Sequence, residues 1–373
     1  MQSKTEAFPL LAPADRLAAW RILDANLNRA TEGLRVVEEY CRFRLADRHL
    51  SERCKQLRHD LVTALAGLPG KDMQAMLHAA RETQQDVGTQ IETVQEGRRE
   101  SLGQLLAANW QRVEQALRVL EEYSKLLAPA VGATIEALRY RAYTLAKAGT
   151  ISADSQHRLE HARLYVLLDG GSSEQEFAER ARALVAAGVH VIQLRAKTLA
   201  DRELLARARV LRSVIDETPP APSPEPRTPN PRPLLIINDR PDLAVLARAD
   251  GVHLGQTELT VLDARQIVGP ELLIGISTHT IGQARQAVFD GANYLGCGPT
   301  FPSGTKQFDQ FPGLAFLRQV ADEISLPAFA IGGITASNLP DVLATGIRRV
   351  AIAGALATTS DIPAEVAALH AGL

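Results

Sequence analysis

The sequence predicts an α/β protein in two parts. Residues 1–150 read as an all-α helical domain built from a duplicated hairpin, and residues 160–373 read as a C-terminal (β/α)8 TIM barrel. Three observations carry this. Residues 16–148 hold only helical patterning. One helix there is written twice. Beyond residue 162, short runs rich in Val, Ile and Leu alternate with helical patterns, eight times over. Continuous apolar strands separated by helices indicate a parallel sheet covered on both faces, and eight units indicate a closed barrel.

The repeated helix is "NLNRATEGLRVVEEY" at Asn26–Tyr40 and "NWQRVEQALRVLEEY" at Asn109–Tyr123, offset by 83 positions. Its apolar stripe is Leu23, Leu27, Ala30, Leu34 and Val37 in the first copy. In the second it is Leu106, Trp110, Val113, Leu117 and Leu120. Two such hairpins can pack stripe on stripe about a pseudo-twofold axis and bury what neither buries alone. "RETQQDVGT" (81–89) reads as a loop between them, and 149–162 as a polar connector.

The eight strand runs are 163–168, 189–195, 234–239, 251–255, 272–278, 292–298, 327–334 and 348–354. A stretch with eight prolines (217–233) interrupts the series before the third strand. It reads as an extended surface insertion on the N-terminal face, away from the end where barrels do chemistry.

Composition excludes several classes. A net charge of −2 offers no bulk attraction to nucleic acid or to an acidic membrane. Three cysteines make neither a disulfide framework nor a metal knot, so a reducing, cytoplasmic setting is expected. No segment reads as a signal peptide or a membrane span. Small molecules are the expected partners, with assembly into a homo-oligomer left open.

The chemistry should sit where strands end. Gln193, Arg195 and Lys197 alternate to one side of the second strand and form an anion clamp. Asp239 after the third strand and Glu258 after the fourth offer hard oxygen ligands for Mg2+, which can bridge to phosphates. Asp239 could instead cap the helix that follows. The segment "GPTFPSGTKQF" (298–308) supplies small donors and Lys306, though a bare turn would also use it. Gly333 and Gly354, after the seventh and eighth strands, let backbone N–H groups approach a phosphate. There is no Ser-His-Asp set and no dinucleotide fingerprint. Two anion sites, one metal-assisted, suggest displacement of pyrophosphate by a phosphorylated nucleophile.

The series Q-x-R-x-K, N-D, G-V-H-L-G-Q, G-x-S-x-H-T, G-P-x-x-P-x-x-T-K and I-G-G-I, over roughly 163–370, resembles thiamine-phosphate synthase. That family joins hydroxymethylpyrimidine diphosphate to a thiazole phosphate and releases pyrophosphate. The resemblance implies that Gln193, Leu194, Arg195, Ala196, Lys197, Asn238, Ser277 and Lys306 hold the pyrimidine diphosphate. Arg195, Lys197 and Lys306 would be the catalytic cations. Asp239 and Glu258 would hold Mg2+. Ser303, Gly304, Thr305, Gly333, Ala353 and Gly354 would hold the thiazole phosphate. The chain departs from the pattern at Glu258, usually Asp, and at Gly354, often Ser. The implied chemistry is dissociative, with no general base: the aminopyrimidine stabilises a carbocation that the thiazole nitrogen traps. A thiazole tautomerase-like barrel is the rival, but it has no use for the acids and the diphosphate cations.

The helical half, on "RILDANLNRATEGLRVVEEYCRF" (21–43), "DVGT" (86–89) and the second copy, resembles the alternative hydroxymethylpyrimidine-phosphate kinase found fused to such synthases. The resemblance implies ATP as co-substrate. Asn26, Arg29, Asp86, Asn109 and Arg112 are the candidate phosphate and metal contacts, with Asn109 and Arg112 expected beside their copies. Arg35–Glu39 and Arg118–Glu122 read as surface i,i+4 pairs. No P-loop is present. A dimerisation or scaffold module is the competing reading.

Overall fold

The structure, a computed structural model, describes residues 11–70, 72–82, 99–217, 232–302, 311–354, 356, 359 and 361–373. The chain divides into two compact units, Met1–Thr150 and Ile151–Leu373.

The first unit is helical. Helix α1 (Pro13–Glu39) runs into a π-helical turn (Tyr40–Arg44) and is followed by α2 (Arg48–Leu65), α3 (Met73–Ala80), α4 (Leu102–Leu127) and α5 (Pro129–Arg158), whose residues from Ile151 on belong to the second unit. Asp47 and Ser101 cap α2 and α4 by accepting from Leu50 N and Gln104 N, which satisfies an otherwise orphan donor in each first turn. The stripes of α1 and α4 form the core: Leu23, Ala30, Leu34, Val113, Leu117 and Leu120 are wholly buried. The helices meet closely at Gly33, where an added Cβ would lie 2.8 Å from Val113 Cγ2. Leu27 is only half-buried, and its neighbour Asn26 turns inward instead. Asn26 Nδ2 donates to Ile22 O and Asn109 Nδ2 to Leu105 O, both at 2.8 Å, so each buried amide is satisfied within its own helix.

Residues 149–158 are helical, which corrects the expected connector. They are the last turns of α5. Ser152, Ser155 and Leu159 are buried at helical spacing, and small serines on the buried face concealed the period.

The second unit is a closed parallel barrel whose strands follow chain order. They are β1 (Leu164–Leu168), β2 (Val191–Leu194), β3 (Leu234–Asn238), β4 (Gly251–Leu254), β5 (Leu273–Thr278), β6 (Tyr294–Cys297), β7 (Ala328–Ile331) and β8 (Val350–Ile352). The helices around them are α6 (Glu174–Ala186), α7 (Asp201–Glu217), α8 (Pro241–Leu246), α9 (Val261–Val268), α10 (Ile281–Asp290), α11 (Gly313–Glu323), α12 (Leu339–Leu343) and α13 (Ile362–Gly372). All eight expected runs are strands. Inside, Tyr165, Val191, Ile236, Leu273, Tyr294 and Phe329 pack as one layer, with Leu159 and Ala162 against them. Filling of the interior makes this barrel a packed core rather than a pore. Of the proline-rich insertion, 218–231 lie outside the described residues.

Candidate active site

The C-terminal ends of β2, β3, β4 and β5 stand side by side, and each presents polar groups. On β2, Gln193 is buried and faces the barrel interior, where its Nε2 donates to Tyr165 O–H at 2.8 Å. Leu194 and Ala196 are buried on the opposite side by strand alternation. Arg195 is half-buried and Lys197 exposed. Together they line a hollow of about 410 Å3 with Asp169, Gly171 and Ser172 of the β1–α6 loop.

On β3, Asn238 Nδ2 donates to Asp239 Oδ2 at 2.5 Å. Asp239 has φ +61°, a left-handed conformation that Asp tolerates better than most residues. Its N–H donates to His253 O at 2.8 Å, continuing the β3–β4 ladder. Asp239 does not cap α8, whose N-cap is Arg240 with no side-chain cap bond. Its carboxylate lies 3.8 Å from Lys197 Nζ instead. Burial, and then the charge of Glu258, push the Asp239 carboxyl above its ordinary range, against the pull of Lys197. Glu258 folds back over Gly255, where a Cβ would overlap its carboxylate. Two crowded carboxylates at a partly desolvated mouth fit a hard divalent cation. Among the described residues no larger cluster of metal-ligating side chains occurs. Two acids suit the chemistry of Mg2+, a hard cation that takes oxygen ligands and keeps several waters.

Ser277, at the end of β5, is half-buried, and its Oγ lies 2.9 Å from His253 Nε2. Burial, and then Arg195, push the His253 imidazole down to about 4, so it is neutral near pH 7. Cys297 is buried with its thiol pushed up to about 12, which removes it as a nucleophile.

Across the barrel, β7 and β8 end in glycine-bearing turns. Gly332 and Gly333 have φ of +102° and +66°, and added Cβ atoms would meet Pro299 at 2.8 Å and Phe301 at 2.9 Å. Only glycine lets the backbone pass there. Ala353 and Gly354 are exposed at the end of β8, and a Cβ on Gly354 would meet nothing within 4 Å. Ser303, Gly304, Thr305, Lys306 and Asp86 lie outside the described residues.

In the helical unit, Asn26 and Arg29 line a cavity of about 540 Å3 with Arg21, Asn28 and Glu32. Its wall includes a two-pronged ion pair, Arg81 to Asp24, with both contacts at 2.7 Å. Asn109 and Arg112 are not part of it. The Asn109 carbonyl lies against Gly33, seven residues along α1 from Asn26, or about 10 Å of helix rise. Asn109 therefore does not sit beside Asn26.

Sequence reasoning passed over Tyr165, His253 and Tyr294. The available signal was a polar ring on the inward register of an apolar strand. Its complement is a small residue on a neighbouring strand: Gly275 leaves room for Tyr294, and Gly296 for His253.

A closed parallel barrel whose mouth gathers polar and charged groups over a packed interior defines an enzyme of the TIM-barrel class. Residues 164–356 match the family model described as thiamine monophosphate synthase, and residues 21–148 match that of the ThiD2 family. A thiamine-phosphate synthase from Rhodopirellula baltica is 45% identical over 92% of this chain and 90% of its own. One from Synechocystis is 41% identical over 93% and 94%. A solved thiamine phosphate pyrophosphorylase from Pyrococcus furiosus is 29% identical with a TM-score of 0.48, covering 57% of this chain and 95% of its own. The chain belongs to the thiamine-phosphate synthase family, and so is a transferase of thiamine biosynthesis. Among the described residues no helix is long and apolar enough to cross a membrane.

Proposed function

We propose that the barrel, residues 160–373, joins the methylene carbon of an aminopyrimidine diphosphate to the ring nitrogen of a thiazole phosphate. The carbon–oxygen bond to diphosphate breaks, and its electron pair leaves with pyrophosphate. The thiazole nitrogen then supplies its lone pair to the carbon. No proton need be removed for this exchange, so no general base is required. Arg195, Lys197, Asn238 and Ser277 bind and orient the diphosphate, together with Lys306. Their fixed positive and donor groups stabilise the charge that grows on the leaving group. Asp239 and Glu258 would hold Mg2+, which supplies Lewis-acid neutralisation of the phosphate oxygens when bound. The buried amide of Gln193 meets the pyrimidine from below. The backbone at Gly333, Ala353 and Gly354, with Ser303, Gly304 and Thr305, receives the thiazole phosphate on the far rim, so the two substrates meet across the mouth.

The observation that carries this reading is the crowding of Asp239 and Glu258 beside Lys197. It has a purpose if a cation and a diphosphate meet there.

The helical unit, residues 1–150, phosphorylates the pyrimidine monophosphate from ATP in this reading, which makes the chain bifunctional, and a cytoplasmic setting supplies the ATP. Support comes from the ThiD2 match and from the arginine-lined cavity at Asn26 and Arg29. A scaffold reading of the same unit is favoured by one feature. Phe43, 71% exposed, lines an apolar hollow with Val36 and Leu102.

A coupled assay separates them. The full chain is given pyrimidine monophosphate, ATP, Mg2+ and thiazole phosphate. Thiamine phosphate as product supports both activities. No product, with pyrimidine diphosphate still accepted, leaves the synthase and removes the kinase.

A further inference from the structure

A chain of hydrogen bonds crosses the barrel floor and ends at Ser277. Gln193 Nε2 donates to Tyr165 Oη at 2.8 Å. Tyr165 Oη and Tyr294 Oη are 3.1 Å apart, Tyr294 Oη and His253 Nδ1 3.3 Å, and His253 Nε2 and Ser277 Oγ 2.9 Å. Five strands contribute, namely β2, β1, β6, β4 and β5. The arrangement is built in. A Cβ at Gly275 would overlap the Tyr294 ring, and one at Gly296 would lie 3.0 Å from His253 Cε1. The Tyr165 and Tyr294 rings also pack edge-on against Phe329, which holds both hydroxyls in place.

The donors and acceptors in such a chain are not independent. An amide nitrogen only donates, and a phenol has one hydrogen to give. Tyr165 accepts from Gln193, and among the described contacts its own hydrogen finds an acceptor only in Tyr294, so it is donated there. Tyr294 accepts there and donates to His253 Nδ1. A ring nitrogen that accepts is bare, so the imidazole hydrogen sits on Nε2. That hydrogen is donated to Ser277 Oγ. The hydroxyl hydrogen of Ser277 must then point elsewhere, and Ser277 stands half-buried at the mouth end of β5.

We infer that His253 is a positioning residue: its Nε2–H holds the Ser277 hydroxyl as a donor aimed at the departing diphosphate. This rests on the reading that Ser277 contacts that group. A donor fixed before the reaction loses nothing to reorientation as charge develops on the leaving oxygen. A serine free to rotate would spend part of its time presenting a lone pair to the anion. The far end of the chain, Gln193, thereby sets the direction of a hydroxyl three strands away, through Tyr165, Tyr294 and His253.

Two measurements test it. Nitrogen-15 spectra of the histidine-labelled full chain, with His253 assigned by its loss in His253→Gln, should show a neutral ring carrying hydrogen on Nε2. Hydrogen on Nδ1, or on both nitrogens, would overturn the inference without any assay. The second is turnover of pyrimidine diphosphate with thiazole phosphate. Ser277→Ala and His253→Phe should each slow kcat roughly tenfold, the scale of one hydrogen bond. The double variant should be no slower than Ser277→Ala, because the two act as one unit. His253→Gln, which keeps an N–H in reach of Ser277, should recover most of the loss. Tyr294→Phe, which fits the same space, should show a loss of its own that also vanishes in the Ser277→Ala background. Losses that multiply would sink the positioning role. Wild-type turnover in Ser277→Ala would reject the site reading itself and the inference with it. In the other failure Ser277→Ala remains slow, so the two are told apart.

Discussion

Arg139 Nε donates to Glu121 Oε2 at 2.7 Å, and the Glu121 side chain is 1% exposed. Its other oxygen accepts from Arg118 at 2.9 Å and Lys125 at 2.8 Å, so a buried carboxylate is held by three cations. The first copy of the helix places Glu38 the same way, between Arg35 and Arg58. The repeat thus duplicates a buried charge as well as an apolar stripe. The surface pairs Arg35–Glu39 and Arg118–Glu122 are formed too.

Removing one partner of a buried ion pair leaves the other charge uncompensated, at a cost of about 3–5 kcal/mol. Glu121→Ala should therefore destabilise the helical unit by that order. The chain's two tryptophans, Trp20 and Trp110, are both buried in that unit. A urea melt followed by their fluorescence reads the change directly, and an unshifted midpoint would count against the pair.

The pH dependence follows from the same group. Burial alone would raise the Glu121 carboxyl, but hydrogen bonds from Lys125 and Arg139 and the charges of Arg139 and Arg118 hold it below its ordinary range. A folded pKa below the unfolded one, about 4.3, adds stability above that pH and loses it as pH falls through the folded value. Wild type should thus converge on Glu121→Gln in acid and separate from it towards neutrality. Parallel stability curves for the two from pH 7 to acid would contradict this.

At the barrel mouth, Asp239→Asn keeps the shape and removes a charge. Synthase turnover should fall by roughly a hundredfold, the scale of losing one preorganised electrostatic group, with the barrel's melting temperature no lower. Chelation by EDTA should abolish wild-type turnover, and Mg2+ should restore it. Full activity in chelator would dismiss the metal assignment.

Gly275→Ala would force a methyl group into the Tyr294 ring. Overpacking of this kind costs about 1–3 kcal/mol. The barrel should melt earlier while tryptophan fluorescence of the helical unit is unaltered, and turnover should drop as Tyr294 leaves Tyr165 and His253. A variant with normal stability and rate would show that the ring moves aside freely.

The barrel was legible because its signal is local. The middle of a strand such as Leu234–Asn238 is buried, so Leu235, Ile236 and Ile237 must be apolar without alternation, and that is visible residue by residue. The rim was legible for the same reason, since Arg195, Asp239 and Gly333 each stand where a strand ends. Residues 149–158 misled because Ser152 and Ser155 fill a buried face without looking apolar. Asn26 and Asn109 misled because matching positions in a repeat need not be neighbours.

The amino-acid sequence by itself determined the two-part organisation, the eight strands, the repeated helix and the polar rim of the mouth. Each depends on periodicity and on what terminates an element. Tertiary structure alone decided which side chains meet inside. His253 reaches Tyr294 and Ser277 because β4, β5 and β6 lie side by side in register and Gly275 and Gly296 leave their rings space. It likewise set Asp239 against Lys197 rather than on a helix cap, and set Asn109 against Gly33 rather than beside Asn26. The physical reason is that strand register and helix approach join residues far apart in the chain, and the pattern of any one segment carries no record of its partner.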